Sequence, residues 1–368
     1  RESYRNPEIA ALINRHFVPV KLDRELHPAL DAYLIDFVER THGQAGWPLN
    51  VFLTPEGYPI AGLTYLPAER FGEVLRQLVR LWSSDQDGLR ATARAAAAEL
   101  QRARVPQPGA HPADEAGLAE GFLALALRVG DELGGGFGHQ TRFPMAPQLS
   151  ALLNLQALRP NNRLAAFLTL TLDQMASQGL RDHLGGGFFR YTVDPDWQTP
   201  HFEKMLYTQA LLIPLYLRAA TILQRPEYRA VARDTLDFVL ASFRGTQGGF
   251  IASFSAVDDQ GEEGGYYLWR QAQLARVLQP PELRLVNLAW DLDRAPSLPA
   301  GNLPVQARGL GDVAERLGIP ESEARTLLDR AKAKLRLARA ARSLPADRKQ
   351  LAGWNGLLLS ALVAGAET

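Results

Sequence analysis

Between Asp182 and Tyr207 the chain reads D-H-L-G-G-G-F-F-R-Y-T-V-D-P-D-W-Q-T-P-H-F-E-K-M-L-Y, a connector dense in groups that move protons or hold polar ligands. His183 and His201 lie 18 residues apart on it. An unperturbed imidazole titrates near 6.5, so a pair of them suits removal and return of a proton beside a carbonyl. Arg190 is placed to stabilise an enediolate oxygen. Hydrolysis of a glycosidic bond would instead need two carboxylates, for which Asp182, Asp194 and Glu203 are candidates, with Asp258 from a later connector. Phe188, Tyr191 and Trp197 offer flat apolar faces, and Lys204 and Tyr207 complete the ligand-binding candidates. Each residue also has a structural alternative. His201 would cap the helix that follows it, Asp182 and Arg190 would form a buried pair, and Glu203 would complement a helix N-terminus.

Such groups work only where a scaffold positions them. The three glycines admit positive φ and close backbone approach, and Pro195 and Pro200 stiffen the far half. Two other connectors share the motif, Gly134-Gly135-Gly136-Phe137 and Gly248-Gly249-Phe250, with successive Phe positions 51 and 62 residues apart. One helical hairpin fits each interval. The helix expected at 203–223 is apolar on every side, as an inner helix is, whereas 227–243 keeps its charges on one face, as an outer helix does. Inner helices are also expected at 147–158, at 271–278 and from Gly353 onward. The charged segment 321–342 reads as an outer helix or an excursion. Long glycine connectors alternating with short turns place every connector on one rim of an α/α toroid, whose funnel is the place for a site. Six inner helices close such a ring, so more chain beyond Thr368, another subunit or a repacked hairpin is expected to cover the gap. Asp258, Asp259, Glu262 and Glu263 surround Gly261 between Phe250–Phe254 and Tyr266–Trp269, which reads as a β-hairpin over the rim with a solvated acidic tip. No metal site or cofactor is expected.

Ahead of the rim lies a different pattern. The order is a helix from Pro7, a short strand at 17–22, helix 28–40, strand 49–53, a Thr54-Pro55-Glu56-Gly57 turn, strand 60–65, helix 68–82 and an Ala- and Arg-rich helix at 85–104. Val105 to Pro112 holds three prolines in eight residues and reads as a linker. The expected division is 1–104, a linker at 105–112, and 113–368. With 368 residues, two domains are the natural expectation. The 40 basic and 40 acidic residues balance, which argues against nucleic acid or an anionic membrane as partner. No apolar run is long enough to span a bilayer, and a cytoplasmic location is the expectation. There is no cysteine, which excludes disulfides, thiolate ligands and thiol redox chemistry within these residues.

The first segment resembles a thioredoxin-like domain without its first strand, with Pro48 of Gly46-Trp47-Pro48 at the position of the cis proline. R-E-S-Y-R-N-P-E-I-A-A-L-I-N-R-H-F-V-P-V-K-L-D-R-E is similar to the thioredoxin-domain-containing proteins related to mammalian spermatogenesis-associated protein 20. In that family a Cys-His-Trp-Cys-type motif precedes the equivalent of Arg1, so an upstream segment is expected. The family's later part is a six-hairpin α/α barrel related to sugar epimerases and glycosidases, and the likeness is densest at Asp182–Tyr207. Thr208-Gln209 stands where the family has Asp-Asn, and His139-Gln140-Thr141-Arg142 replaces a stretch ending in Pro-Lys. The resemblance implies a sugar as the small-molecule partner. Three readings follow: an epimerase or isomerase using the histidines, a glycoside hydrolase using paired carboxylates, or a non-catalytic sugar- or protein-binding barrel with a redox-inactive thioredoxin-like docking module.

Overall fold

The computed structural model describes residues 2–104 and 115–367. The chain divides into two compact units, Arg1–Pro112 and Ala113–Thr368; the expected linker at 105–112 lies outside the described residues.

The first unit runs α1 (Glu2–Arg5), α2 (Pro7–His16), α3 (Pro28–His42), β1 (Asn50–Leu53), β2 (Pro59–Leu63), α4 (Ala68–Ser84) and α5 (Gln86–Arg104). Asn6 starts α2 by accepting the Glu8 and Ile9 amides, and Pro7 sits where its missing N–H costs nothing. β1 and β2 pair antiparallel. Alternation along β1 sends Phe52 toward Ile9, Ile13, Phe71 and Leu75 of α2 and α4, and Val51 toward Phe37, Val38 and Leu100 of α3 and α5. The Trp47–Pro48 peptide is cis, as the resemblance implies. The strand expected at 17–22 is not formed. Alternation is present in its sequence, but β1 and β2 pair only with each other, and without ladder partners Val18 and Val20 are 90% and 81% exposed.

The second unit continues with α6 (Glu115–Val129), α7 (Ala146–Leu158), α8 (Asn162–Ser177), β3 (Tyr191–Thr192), β4 (Pro200–His201), β5 (Lys204–Met205), α9 (Leu206–Ile222), α10 (Tyr228–Ser242), β6 (Ser253–Phe254), α11 (Gln271–Val277), α12 (Pro280–Trp290), α13 (Leu310–Leu317), α14 (Glu321–Ala340), β7 (Ala346–Asp347) and α15 (Ala352–Ala366). α9 lies between α7 and α15 and is buried nearly all round. α8 and α10 bury one stripe each, Leu164, Phe167, Leu168, Thr171, Leu172 and Met175 in α8, and Tyr228, Val231, Ala232, Thr235 and Val239 in α10. Inner and outer helices therefore alternate as the composition requires.

The connectors are hydrogen-bonded into one belt. Arg142 and Thr192 exchange backbone bonds of 3.0 Å between the first and second connectors, and the Trp197 indole donates to the Gly134 carbonyl at 3.0 Å. β5 pairs with β6 of the third connector, and β6 pairs with β7 ahead of α15. The three glycine motifs thus share one rim.

Two expectations are corrected. Gln271–Leu278 is not an inner helix: α11 packs with α12, α13 and α14 around a separate core of Leu274, Leu285, Val286, Val313 and Leu335. The segment 321–342 belongs to this excursion. Nor do Phe250–Phe254 and Tyr266–Trp269 form one hairpin, since β6 pairs with β5 and β7 while Trp269 bridges Asn302. Only Val257 and Glu263 bridge across the acidic turn. No described helix is long and apolar enough to cross a membrane.

The glycine motifs close onto their neighbours at short range. A Cβ on Gly187, at φ +72°, would lie 2.3 Å from the Phe238 ring of α10, whereas one on Gly248, at φ +87°, would meet open space. Gly248→Ala should cost about 1 kcal/mol, from left-handed strain alone, and Gly187→Ala at least about twice that. Urea unfolding of the two variants measures the difference, and equal losses would show that close packing at Gly187 is not limiting.

Candidate functional site

The second connector is folded by one carboxylate. Asp182 accepts the amides of Leu184 and Gly185 at 3.1 and 2.9 Å, while its own backbone bonds Gly186 and Gly187. This tight turn is a side-chain-capped loop of the kind Asp favours. Asp131 does the same in the first connector with Leu133 and Gly134. Polar groups on helices clamp the motifs from beneath. Thr171 accepts the Gly136 amide, Gln209 brackets the Phe188 backbone at 2.8 and 2.7 Å, and Asn355 brackets Phe250 at 2.8 and 3.0 Å.

Asp182 is 1% exposed, and two cations neutralise it. The Lys204 ammonium lies 2.7 Å from Oδ2 and also donates to the Gly186 carbonyl. The Arg339 guanidinium of α14 straddles both oxygens at 3.0 Å each. Burial alone would raise the Asp182 carboxyl, but the charges of Arg339 and Lys204 overcome it and hold the group well below the usual carboxylate range. Burial lowers the Lys204 ammonium, and Asp182 opposes that. The rings of Phe238, Phe189 and Tyr267 surround Lys204 at 4.2 to 5.2 Å.

The other face of the connector is different, because Glu203 and Lys204 are consecutive in an extended stretch and point opposite ways. There the His201 Nε2 lies 3.3 Å from Glu203 Oε2, and Nδ1 lies 3.0 Å from Glu263 Oε1. An ionised carboxylate only accepts, so both contacts are satisfied when both ring nitrogens carry protons. The Glu203 hydrogen bond is the main cause that raises the His201 imidazole above its ordinary value, against the opposing effect of burial. Arg190 bonds Glu203 at 2.9 Å, and Tyr207 lies near enough to act on its charge. The imidazole stacks on Tyr191 at 5.0 Å, and Tyr191 stacks on Phe143 at 4.6 Å. His201, Glu203 and Arg190 are each about a quarter to a third exposed. This is an imidazole whose affinity for a proton is raised, set on an aromatic ladder, flanked by an Arg–carboxylate pair and open to solvent.

His201, Arg190, Glu203, Tyr191 and Tyr207 are thus brought together. His183 is not among them. Its Nε2–H donates to the Gln178 carbonyl at 3.1 Å, and burial pushes its imidazole down to about 4, so it is neutral near pH 7. Asp182 and Lys204 are sealed in the ion cluster. Phe188 and Trp197 are 0% exposed, so their faces belong to the core and offer no stacking surface. Asp194 accepts the amides of Asp196, Gln198 and Thr199, and Asp258 those of Gln260 and Glu262, so both carboxylates hold turns. Sequence reasoning missed Arg339, 157 residues from Asp182, for which no local signal exists. It also missed Phe143, and it read Glu263 as a solvated acid. No group of acidic, His or Cys residues able to hold a metal occurs among the described residues.

Comparison with known proteins sets this geometry in context. Residues 1–101 match the Thioredox_DsbH family, described as a protein of unknown function, DUF255. Spermatogenesis-associated protein 20 of Homo sapiens is 34% identical over 396 residues, which cover 98% of this chain and 50% of that protein. An uncharacterised Caenorhabditis elegans protein is 29% identical over 401 residues, 99% of this chain and 54% of that one. The chain spans about half the length of these curated relatives. Among solved structures, a cellobiose 2-epimerase from Spirochaeta thermophila matches at TM-score 0.34 and 16% identity over 71% of this chain and 72% of that one. An unsaturated glucuronyl hydrolase specific for heparin matches at TM-score 0.35 and 11% identity, over 94% and 98%. At these scores the likeness carries no argument about chemistry.

If Glu203 raises His201, Glu203→Gln should lower the imidazole midpoint toward its ordinary value, read by NMR of the ring carbons. A raised folded-state value means that this contact stabilises the protein below the unfolded midpoint near 6.5 and is lost as pH rises through the folded one. An unchanged midpoint in the variant would show that Glu203 does not hold the proton.

Proposed function

Taking the chain as a relative of spermatogenesis-associated protein 20, with a thioredoxin-like unit ahead of α/α hairpins, we propose that its rim binds a sugar and transfers a proton on it, in the manner of an epimerase or isomerase. The single observation that carries this reading is His201, doubly bonded to Glu203 and Glu263 and stacked on Tyr191. Such an imidazolium can protonate a ring oxygen to open a hemiacetal while the anomeric hydroxyl gives its proton to water. The neutral imidazole left behind then takes the proton from the carbon beside the new carbonyl, which regenerates the imidazolium, and returns it to that carbon. Arg190, fixed by Glu203, presents positive charge to a developing oxyanion. Tyr191 and Phe143 supply the flat faces on which a sugar ring rests.

A non-catalytic sugar-binding module is the second reading, and the placement of His183 favours it. The partner imidazole that would complete a two-base exchange is buried, neutral and bonded to a backbone carbonyl, outside the His201 network. The hydrolase reading keeps only Glu203 and Glu263 as its carboxylates, since Asp182, Asp194 and Asp258 are committed to the scaffold.

Incubation with reducing mono- and disaccharides in D2O separates these readings. The epimerase reading expects deuterium at the carbon beside the carbonyl, detected by mass spectrometry. Incorporation should fall at least about 100-fold in His201→Gln. Saturable sugar binding without incorporation would select the binding module, and a released monosaccharide without incorporation would select the hydrolase.

A further inference from the structure

Behind β5, on the side away from His201, a cavity of about 390 Å³ opens between α10, α14 and the loop at Gly265–Tyr267. Neither His201, Glu203 nor Arg190 lines it. Its charged lining is Lys204, Arg336, Arg339 and Arg342, with Tyr266 and Phe254 among its walls. Among the described residues, one carboxylate is in ion-pair contact with these four cations and a second acts at longer range. Asp182 neutralises Lys204 and Arg339 from behind, and Asp234 acts on Lys204 at longer range. Arg336 and Arg342 are bonded only to backbone carbonyls, Arg336 Nε to Leu184 at 2.6 Å and Arg342 Nη1 to Gly265, Tyr266 and Leu268 at 3.2, 3.0 and 2.7 Å. Carbonyls fix a guanidinium in place without cancelling its charge. The Arg342 guanidinium also lies 3.9 Å over the Trp269 ring, which holds its plane. Its ordinary value is lowered by burial and by the charge of Arg339, as expected where like charges face each other without a counter-ion.

The cavity therefore combines pre-fixed guanidinium forks, a net surplus of positive charge, an aromatic wall and the volume of a small-molecule site. Planar guanidinium groups match tetrahedral oxyanions in pairs, and a surplus of several charges suits a dianion better than a carboxylate. We propose that this cavity binds a phosphate monoester of monosaccharide size, with Arg336 and Arg342 holding the phosphoryl oxygens and the aromatic wall facing the ester group. The site is separate from the His201 rim and independent of the activity proposed there. Because Arg336, Arg339 and Arg342 come from the end of α14 and its exit, occupation would tie the α11–α14 excursion to the rim.

Calorimetric titration of the whole chain with glucose 6-phosphate, inorganic phosphate and glucose tests the assignment. Glucose 6-phosphate should bind saturably, inorganic phosphate more weakly, and glucose not at this site. Arg336→Glu, an exposed position, should weaken the phosphate ester roughly tenfold or more with an unchanged melting temperature. Arg342→Gln should weaken it as well, with a lower melting temperature because its bonds to three backbone carbonyls are lost. No saturable binding of the ester up to about 10 mM, a level at which even weak specific sites fill, would overturn the proposal. So would ester binding that survives in Arg336→Glu, or that glucose matches in affinity.

Discussion

A single buried carboxylate organises the rim. Asp182 folds its own loop through the Leu184 and Gly185 amides, and holds β5 through Lys204 and α14 through Arg339. Removing such a charge from water is costly, and the arrangement is tolerable only because both oxygens are fully satisfied and two cations share the site. The interaction joins parts of the chain that no local rule connects. It anchors the excursion α11–α14 to the same rim on which the hairpin connectors meet.

From that anchor the chemistry of the connector divides. Extended backbone at Glu203-Lys204 turns one side chain toward solvent and the next into the ion cluster, so two charged sites lie back to back across one strand. On the outer side a raised imidazole, two carboxylates and an arginine rest on stacked rings. On the inner side the cations outnumber the acids and line a cavity. Both faces depend on the glycine turn staying tight. That turn depends in turn on Asp182 beneath it and on Gln209, which brackets Phe188.

Much of this was legible in the sequence because it is periodic. The apolar stripes of α8 and α10, the all-round apolar α9 and the repeated Gly-Gly-Phe cores ending at Phe137, Phe188 and Phe250 dictate hairpins that share a rim. What was not legible is contact at long range. His183 and His201 read as equivalent, yet burial lowers one beside a carbonyl and two carboxylates raise the other, and only the tertiary environment decides the direction. Trp197 and Phe188 read as ligand faces because aromatic residues in a polar loop serve stacking and packing alike; here Trp197 fills the contact with Gly134 and Phe188 stacks on Tyr216. Alternation at 17–22 suggested a strand, but a strand needs a ladder, and β1 and β2 supply none to it.

Hydrogen exchange in Asp182→Asn tests the keystone directly, since asparagine keeps an accepting oxygen but removes the charge. If the buried ion cluster unites loop and excursion, protection should fall together at residues 184–188 and along the end of α14 near 336–342, while α7 and α8 keep theirs. Loss confined to the Leu184 and Gly185 amides would contradict this, showing that Asp182 shapes only its own turn.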